Sequence, residues 1–283
     1  MMKRLLVCML TLAMCLPMVA CGLGKGNADN GNASENTNGN NAAADTTVPE
    51  EPEVSEPPYS FETETTADKY SDDEGKLIAT YSYTVLRMKV AEGAEESVLT
   101  MADTFNAEVD ALLERCLESG QELGDWAIYD PMVGDGNYYT DEVTVSWEQV
   151  GDYLSISYSG YYWAGGAHPN SNCFSYLFDL KRGVYIDPIE IADDPELLRS
   201  TVTDLILDVL DSNPDYQGGF FDDYAATTAK WNEFCVLLGE KEMVVIFAPY
   251  VLGPYAMGQV EVTVSYDEIL TALGEGGVAR LGM

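Results

Sequence analysis

Histidine is almost missing from this chain: His168 is the only one in 283 residues. That excludes metal sites built from several imidazoles and leaves one candidate base for any Ser–His pair. Cationic side chains are scarce as well, with 14 Lys and Arg against 48 Asp and Glu and a formal net charge of −34. Such a surface repels nucleic-acid phosphates and anionic lipid heads, so no nucleic-acid partner is expected. It attracts cationic partners instead. None of the patterns H-E-x-x-H, G-x-S-x-G or G-x-x-x-x-G-K-[ST] occurs, so the chemistries those spacings carry have no foothold. The six cysteines include no C-x-x-C, which removes the thioredoxin-type and paired-cysteine zinc readings. Carboxylates are so numerous that no single pair singles out glycosidase chemistry. The loop Asp135-Gly136-Asn137, with Asp130, Asp141 and Glu142 near it, lacks the calcium-loop order because Pro131 and Val133 stand at ligand positions. No catalytic residue, metal or cofactor is therefore expected, and the chain is read as a non-enzyme.

What is present begins with a basic start, Lys3-Arg4, and an apolar run from Leu5 to Ala20. The run is short for a membrane span, which needs about 20 apolar residues, and it has secretory-signal proportions. It ends Met18-Val19-Ala20-Cys21-Gly22, small residues before a cysteine, as in a bacterial lipobox. Residues 1–21 are expected to be a lipoprotein signal with Cys21 as the lipidated residue. The protein is then extracytoplasmic and lipid-anchored to the bacterial cell membrane.

Residues 22–75 are rich in Asn, Gly, Thr, Pro and Glu; they are expected to form a disordered acidic linker, because they offer little to bury. From Lys76 onward the pattern is that of a folded α+β protein, mainly antiparallel sheet with two principal helices. Lys76 to Val90 alternates and is rich in β-branched and aromatic residues, a strand or strand pair. Val98, Ala102, Phe105, Val109, Leu112 and Cys116 form one helical stripe, with Gly120 as the expected stop. Three hairpins follow, turning near Gln149 to Asp152, Lys181 to Gly183 and Gly239 to Glu242. Asp194-Pro195-Glu196 opens a second helix with Leu198, Val202, Leu205 and Val209 on its stripe. A weaker helix is expected between Phe221 and Trp231, a strand over Gln259 to Tyr266, and a short closing helix over Asp267 to Leu273. Cys116, Cys173 and Cys235 lie among apolar residues; each is expected to pack as a small hydrophobe, with one disulfide and one free thiol as the alternative.

Three segments carry a resemblance: Gly165-Gly166-Ala167-His168; Phe178-Asp179-Leu180 with Gly183; and Phe247, Pro249, Tyr250, Pro254, Tyr255, Ala256 and Gly258. In this order they resemble the paired extracytoplasmic domains of the RsiV-like family, domains of unknown function 4163 and 3298. Those domains occur in a lysozyme-sensing anti-sigma factor and beside the catalytic domain of peptidoglycan deacetylases of the PdaC type. This chain departs from the pattern at Pro169, Val251 and Gly253. The resemblance implies a DUF4163-like domain over 76–172 and a DUF3298 domain over 173–283. It also implies a binding module without the anti-sigma segment or the deacetylase domain.

The function expected is a membrane-anchored module recognising a protein, cationic and lysozyme-like by the resemblance, or a cell-wall glycan. The alternatives are an envelope hydrolase acting on peptidoglycan or polysaccharide, and a structural lipoprotein without a ligand. The candidate ligand-binding residues are Tyr162, Trp163, Gly165, Gly166, His168, Tyr250 and Tyr255. They sit in two strand-end loops that combine glycine, proline and aromatics, the composition of a recognition surface. These loops are expected to lie side by side.

Overall fold

The structure is a computed structural model that describes residues 57–283 apart from 131, 132, 134, 135 and 217. The expected signal segment, Cys21, the expected linker up to residue 56 and Asp135 of the acidic loop lie outside the described residues. Among the described residues nine strands and four α-helices follow one another in mixed order, and the class is α+β.

Strands β1 (Tyr59–Ser71), β2 (Leu77–Val90), β3 (Tyr139–Val150), β4 (Tyr153–Trp163), β5 (Asn170–Asp179) and β6 (Val184–Ile186) form one sheet in sequence order. Only the β2–β3 pair is parallel. That pair is bridged by helix α1 (Glu96–Ala127), as a parallel neighbour requires a crossover. The 32 residues of α1 lie across one face of the sheet. Phe105, Val109 and Leu112 pack with Tyr83, Leu86, Ile156, Tyr158 and Phe178 in one buried cluster.

Two expectations from the sequence are corrected here. The last part of the supposed linker is strand β1, which pairs with β2 along its whole length. Its Tyr59 and Phe61 pack against the α1 cluster, so the segment has apolar anchors that its acidic composition concealed. The boundary placed between residues 172 and 173 falls inside β5, whose neighbours are β4 and β6. The stretches 76–172 and 173–283 therefore share a sheet, and Pro58–Met283 is a single compact unit.

Gly120 does not stop α1. The helix runs on to Ala127, and Gly120 serves as a point of close approach. A Cβ there would lie 2.7 Å from the Tyr83 hydroxyl and 2.8 Å from the Tyr81 ring. Glycine is the residue that lets the helix come this near the sheet.

The second half of the chain builds a three-stranded antiparallel sheet from β7 (Cys235–Leu238), β8 (Glu242–Phe247) and β9 (Val260–Ser265). Helix α2 (Pro195–Ser212) is capped by the Asp194 side chain, which accepts from the Leu197 amide. It buries Leu198, Val202, Ile206 and Leu210. Val209, expected on that stripe, is instead exposed at 41%, because the buried face continues through Ile206 and Leu210. Helix α3 (Tyr224–Thr228) is a single short turn of helix. Helix α4 (Tyr266–Arg280) begins at a Ser265–Glu268 capping box and bends at Gly274. It extends well past the expected Leu273.

The two sheets meet where the edge of β7 lies on the face of β4 and β5 that points away from α1. The outward amides of β7 would be unsatisfied there. The Ser175 hydroxyl accepts from the Val236 amide at 2.7 Å, and the Ser155 hydroxyl accepts from the Leu238 amide at 2.9 Å. Serine is small enough for that approach and supplies the missing acceptor. Cys173 of β5 and Cys235 of β7 are disulfide-bonded, with Cα atoms 5.7 Å apart. Of the alternatives left open for the cysteines, the structure therefore has one disulfide and one free thiol, Cys116.

Candidate functional site

The hairpin β4–β5 closes with residues 164–169. Tyr162 pairs with Asn170 in register, so the six residues between Trp163 and Asn170 must reverse the chain. Gly165 and Gly166 do so at φ +81° and +94°, values that side-chain-bearing residues resist. The second loop leaves β8 after Phe247 and returns at Val260 through a short 3₁₀ turn, Tyr255–Met257.

The two loops meet, although 86 residues separate their contacting positions. The imidazole of His168 stacks on the ring of Tyr255, with centroids 3.8 Å apart and planes at 16°. The Tyr255 hydroxyl donates to the Pro169 carbonyl at 3.1 Å. The same carbonyl lies 3.1 Å from His168 Nδ1, which places the ring proton on that nitrogen. Tyr250 stands 5.5 Å from the Tyr255 ring. The residue is 54% exposed, and its backbone is at φ +72°, the one positive φ outside glycine among the described residues. A bulky residue in that region costs of order 1–3 kcal/mol and is held there by its surroundings.

Other candidates lie elsewhere. Tyr162 packs between the α1 cluster and a smaller cluster of Ile78, Ala79, Leu123, Ala127 and Tyr139. Burial, with Asp141 and Glu122 nearby, pushes its hydroxyl up to about 12. Trp163 sets its edge against Tyr139 at 5.9 Å. Both are half-buried, and the clusters they pack against are built from the sheet and α1. Gly165 lies near the Tyr139 hydroxyl, itself a donor to the Asp130 carboxylate. The structure thus gathers His168, Tyr250 and Tyr255 and leaves Tyr162 and Trp163 as the packed base of the first loop.

Several contributors were not legible in sequence. The disulfide lies close to both loops: Cys173 follows Asn170 by three residues, and Cys235 pairs with Ile246 just before the second loop. It staples together the strands that carry them. The Phe-Asp-Leu-x-x-Gly segment serves the turn itself. Buried Asp179 accepts from the amides of Lys181 and Arg182 at 2.9 and 2.8 Å, and its carbonyl accepts from Gly183. On the other side of the sheet, Asp141 is buried beneath α1 and accepts from the Tyr83 and Ser119 hydroxyls, both at 2.8 Å. Burial raises its pKa above the usual aspartate value, partly offset by those two bonds. The Cys116 thiol is pushed up to about 12, chiefly by burial and then by Asp141, which makes it an inert packing thiol. Among the described residues no group of three or more His, Cys, Asp or Glu side chains is arranged to hold a metal ion. No helix among them is long and apolar enough to cross a membrane.

A family model described as a protein of unknown function, DUF3298, matches residues 217–267. That span contains the Tyr250–Tyr255 loop but not the His168 loop. A DUF3298 family member from Bacteroides fragilis superposes with a TM-score of 0.57 at 13% identity, over 79% of this chain and 97% of its own. A second, from Pseudomonas aeruginosa PAO1, superposes with a TM-score of 0.52 at 14% identity, over 78% and 97%. At these identities the likeness is one of fold. No curated protein matches the chain.

Proposed function

We propose that this protein is an extracytoplasmic binding module, anchored to the bacterial membrane through Cys21, that holds a protein partner on its paired loops. One observation carries this reading. Tyr250 is an exposed aromatic kept in a strained backbone conformation, on a loop locked to its neighbour through Tyr255, His168 and Pro169. A rigid exposed aromatic is the kind of side chain that dominates an interface, and strain of this sort collects at functional positions. His168 has its ring face covered by Tyr255 and its Nδ1 directed at a carbonyl, which suits a positioning role better than proton transfer. The Cys173–Cys235 disulfide fits an oxidising compartment outside the cytoplasm, in agreement with the signal and lipobox. The RsiV-like resemblance adds a cationic protein as the class of partner, and the charge of −34 suits it.

The test uses immobilised full chain to capture partners from bacterial and host secretions, followed by kinetics with the captured protein. Tyr250→Ala and Tyr255→Ala should speed dissociation at least tenfold, about 1.4 kcal/mol or more. Capture that both variants leave unchanged overturns the assignment to these loops. For the anchor, Cys21→Ser should abolish labelling by a palmitate analogue; equal labelling of the variant refutes lipidation there.

A further inference from the structure

A second surface feature lies where α2 ends. Between Ser212 and α3 the chain runs through a 3₁₀ turn, Pro214–Tyr216, and a glycine pair, Gly218-Gly219. Tyr216, Phe220 and Tyr224 recur every four residues along this stretch and stand in series. Tyr216 and Phe220 have centroids 5.7 Å apart at 48°, and Phe220 and Tyr224 lie face to face at 4.7 Å and 12°. All three rings, together with buried Leu210, are among the residues that line an open hollow of about 450 Å³. Two carboxylates, Asp211 and Asp222, stand among its lining residues. Asp211 is held in position because the Tyr224 hydroxyl donates to its Oδ1 at 2.6 Å. Both are exposed, and among the described residues neither is paired with a lysine or arginine. No lining residue belongs to the loops at 164–169 or 249–258.

We propose that this hollow is a subsite for an arginine side chain presented by a peptide or protein. Aromatic faces beside unpaired carboxylates form a surface complementary to an organic cation. The shape selects among cations. A quaternary ammonium is best held by rings on several sides, whereas here two rings are stacked on one another and one wall is open. A flat guanidinium stacks on a single ring face and offers a fork of donors to a carboxylate. It also sheds water more easily than a lysine ammonium does. Asp211, with one oxygen taken by Tyr224, can accept through the other, and Asp222 supplies a second negative charge. The subsite goes beyond the loop assignment and can stand if that one fails.

The experiment is an NMR titration of the full chain carrying Cys21→Ser, with N-acetyl-arginine amide as the probe. N-acetyl-citrulline amide serves as the neutral isostere and choline as the quaternary cation. Saturable shifts at the ring protons of Tyr216, Phe220 and Tyr224 are expected with the arginine derivative, and much smaller ones with the other two. Phe220→Leu and Asp222→Asn should each weaken binding by about two- to fivefold. Asp222 is at the surface, so its variant is expected to fold normally whatever becomes of Phe220→Leu. A Glu92→Gln variant, which changes the charge equally away from the hollow, should bind as the parent does. The proposal is overturned if citrulline or choline shifts these rings as strongly. It is also overturned if shifts scatter over the acidic surface, or if Glu92→Gln weakens binding as much as Asp222→Asn. Partner capture left unchanged in Tyr250→Ala and Tyr255→Ala, with this titration giving the expected shifts, would sink the loop assignment and leave the subsite standing.

Discussion

Gly120→Ala is the most direct test of how α1 is seated. In a free helix the change is favourable by about 0.8–1 kcal/mol, because alanine has the higher helix propensity. In this protein the new methyl would meet the Tyr83 hydroxyl at 2.7 Å and atoms of the Tyr81 ring at 2.8 and 3.0 Å, well inside the ~3.5–4.0 Å of good carbon contacts. Tyr83 has nowhere to retreat: it is fully buried, and its hydroxyl donates to Asp141 at 2.8 Å. Moving α1 outward would loosen the Phe105–Leu112 packing, and moving Tyr83 would break a buried hydrogen bond. Overpacking of this kind costs about 1–3 kcal/mol, and a buried group left unpaired costs about as much. We expect a net loss of about 1–2 kcal/mol, which in a domain of this size lowers Tm by very roughly 2–8 °C. The assay is urea unfolding followed by the fluorescence of the four tryptophans. Ala107→Gly, on the exposed side of α1, measures the propensity effect separately. A Gly120→Ala protein more stable than the parent would show that the helix and sheet are not in this contact.

Tyr250→Gly should relieve the left-handed strain, stabilising the fold by about 1 kcal/mol, while weakening partner binding; thermal unfolding and binding kinetics run together check this, and a loss of stability refutes it. Cys173→Ala should cost about 2–5 kcal/mol in the oxidised protein, and reductant should bring the parent close to the variant; equal stability of the oxidised parent and the variant would contradict it. Burial raises the folded-state pKa of Asp141, so its stabilising contribution is full below the unfolded aspartate value and is lost as pH rises through the folded one. Asp141→Asn should therefore gain on the parent between pH 4 and pH 7 in urea melts, and a difference moving the other way would show the carboxylate to be stabilised as the anion. Added salt should slow association with a cationic partner while changing dissociation much less, which stopped-flow or surface kinetics would reveal; salt-independent association would remove charge from the recognition.

The local elements were legible because their signals lie within a few residues. The period of four and three from Val98 to Cys116, the Asp194-Pro195 start and the alternation around Val262 each specify a helix or strand whatever packs on it. Strand β1 escaped because six acidic residues and one basic residue lie between Phe61 and Lys76, and composition outweighed the spaced Tyr59, Phe61 and Tyr70. Gly120 was read as a stop because a glycine near a helix end signals termination; a glycine that admits a neighbouring ring looks the same in one dimension. Of the seven binding candidates, sequence located the two loops but could not sort their members. Whether Trp163 faces outward or leans on Tyr139 depends on the far end of the β3–β4 hairpin, where the two residues come together from opposite ends of their strands.

The sequence alone determined the α+β class and the residues available at each strand end, since these follow from local composition and period. Tertiary structure decided that Cys173 bonds Cys235, that Ser155 and Ser175 satisfy the edge of β7, and that His168 meets Tyr255. Each of those contacts joins residues 61 or more apart in the chain. Such pairs are set by which surfaces of the folded sheets come together, and nothing in the local pattern of either partner names the other.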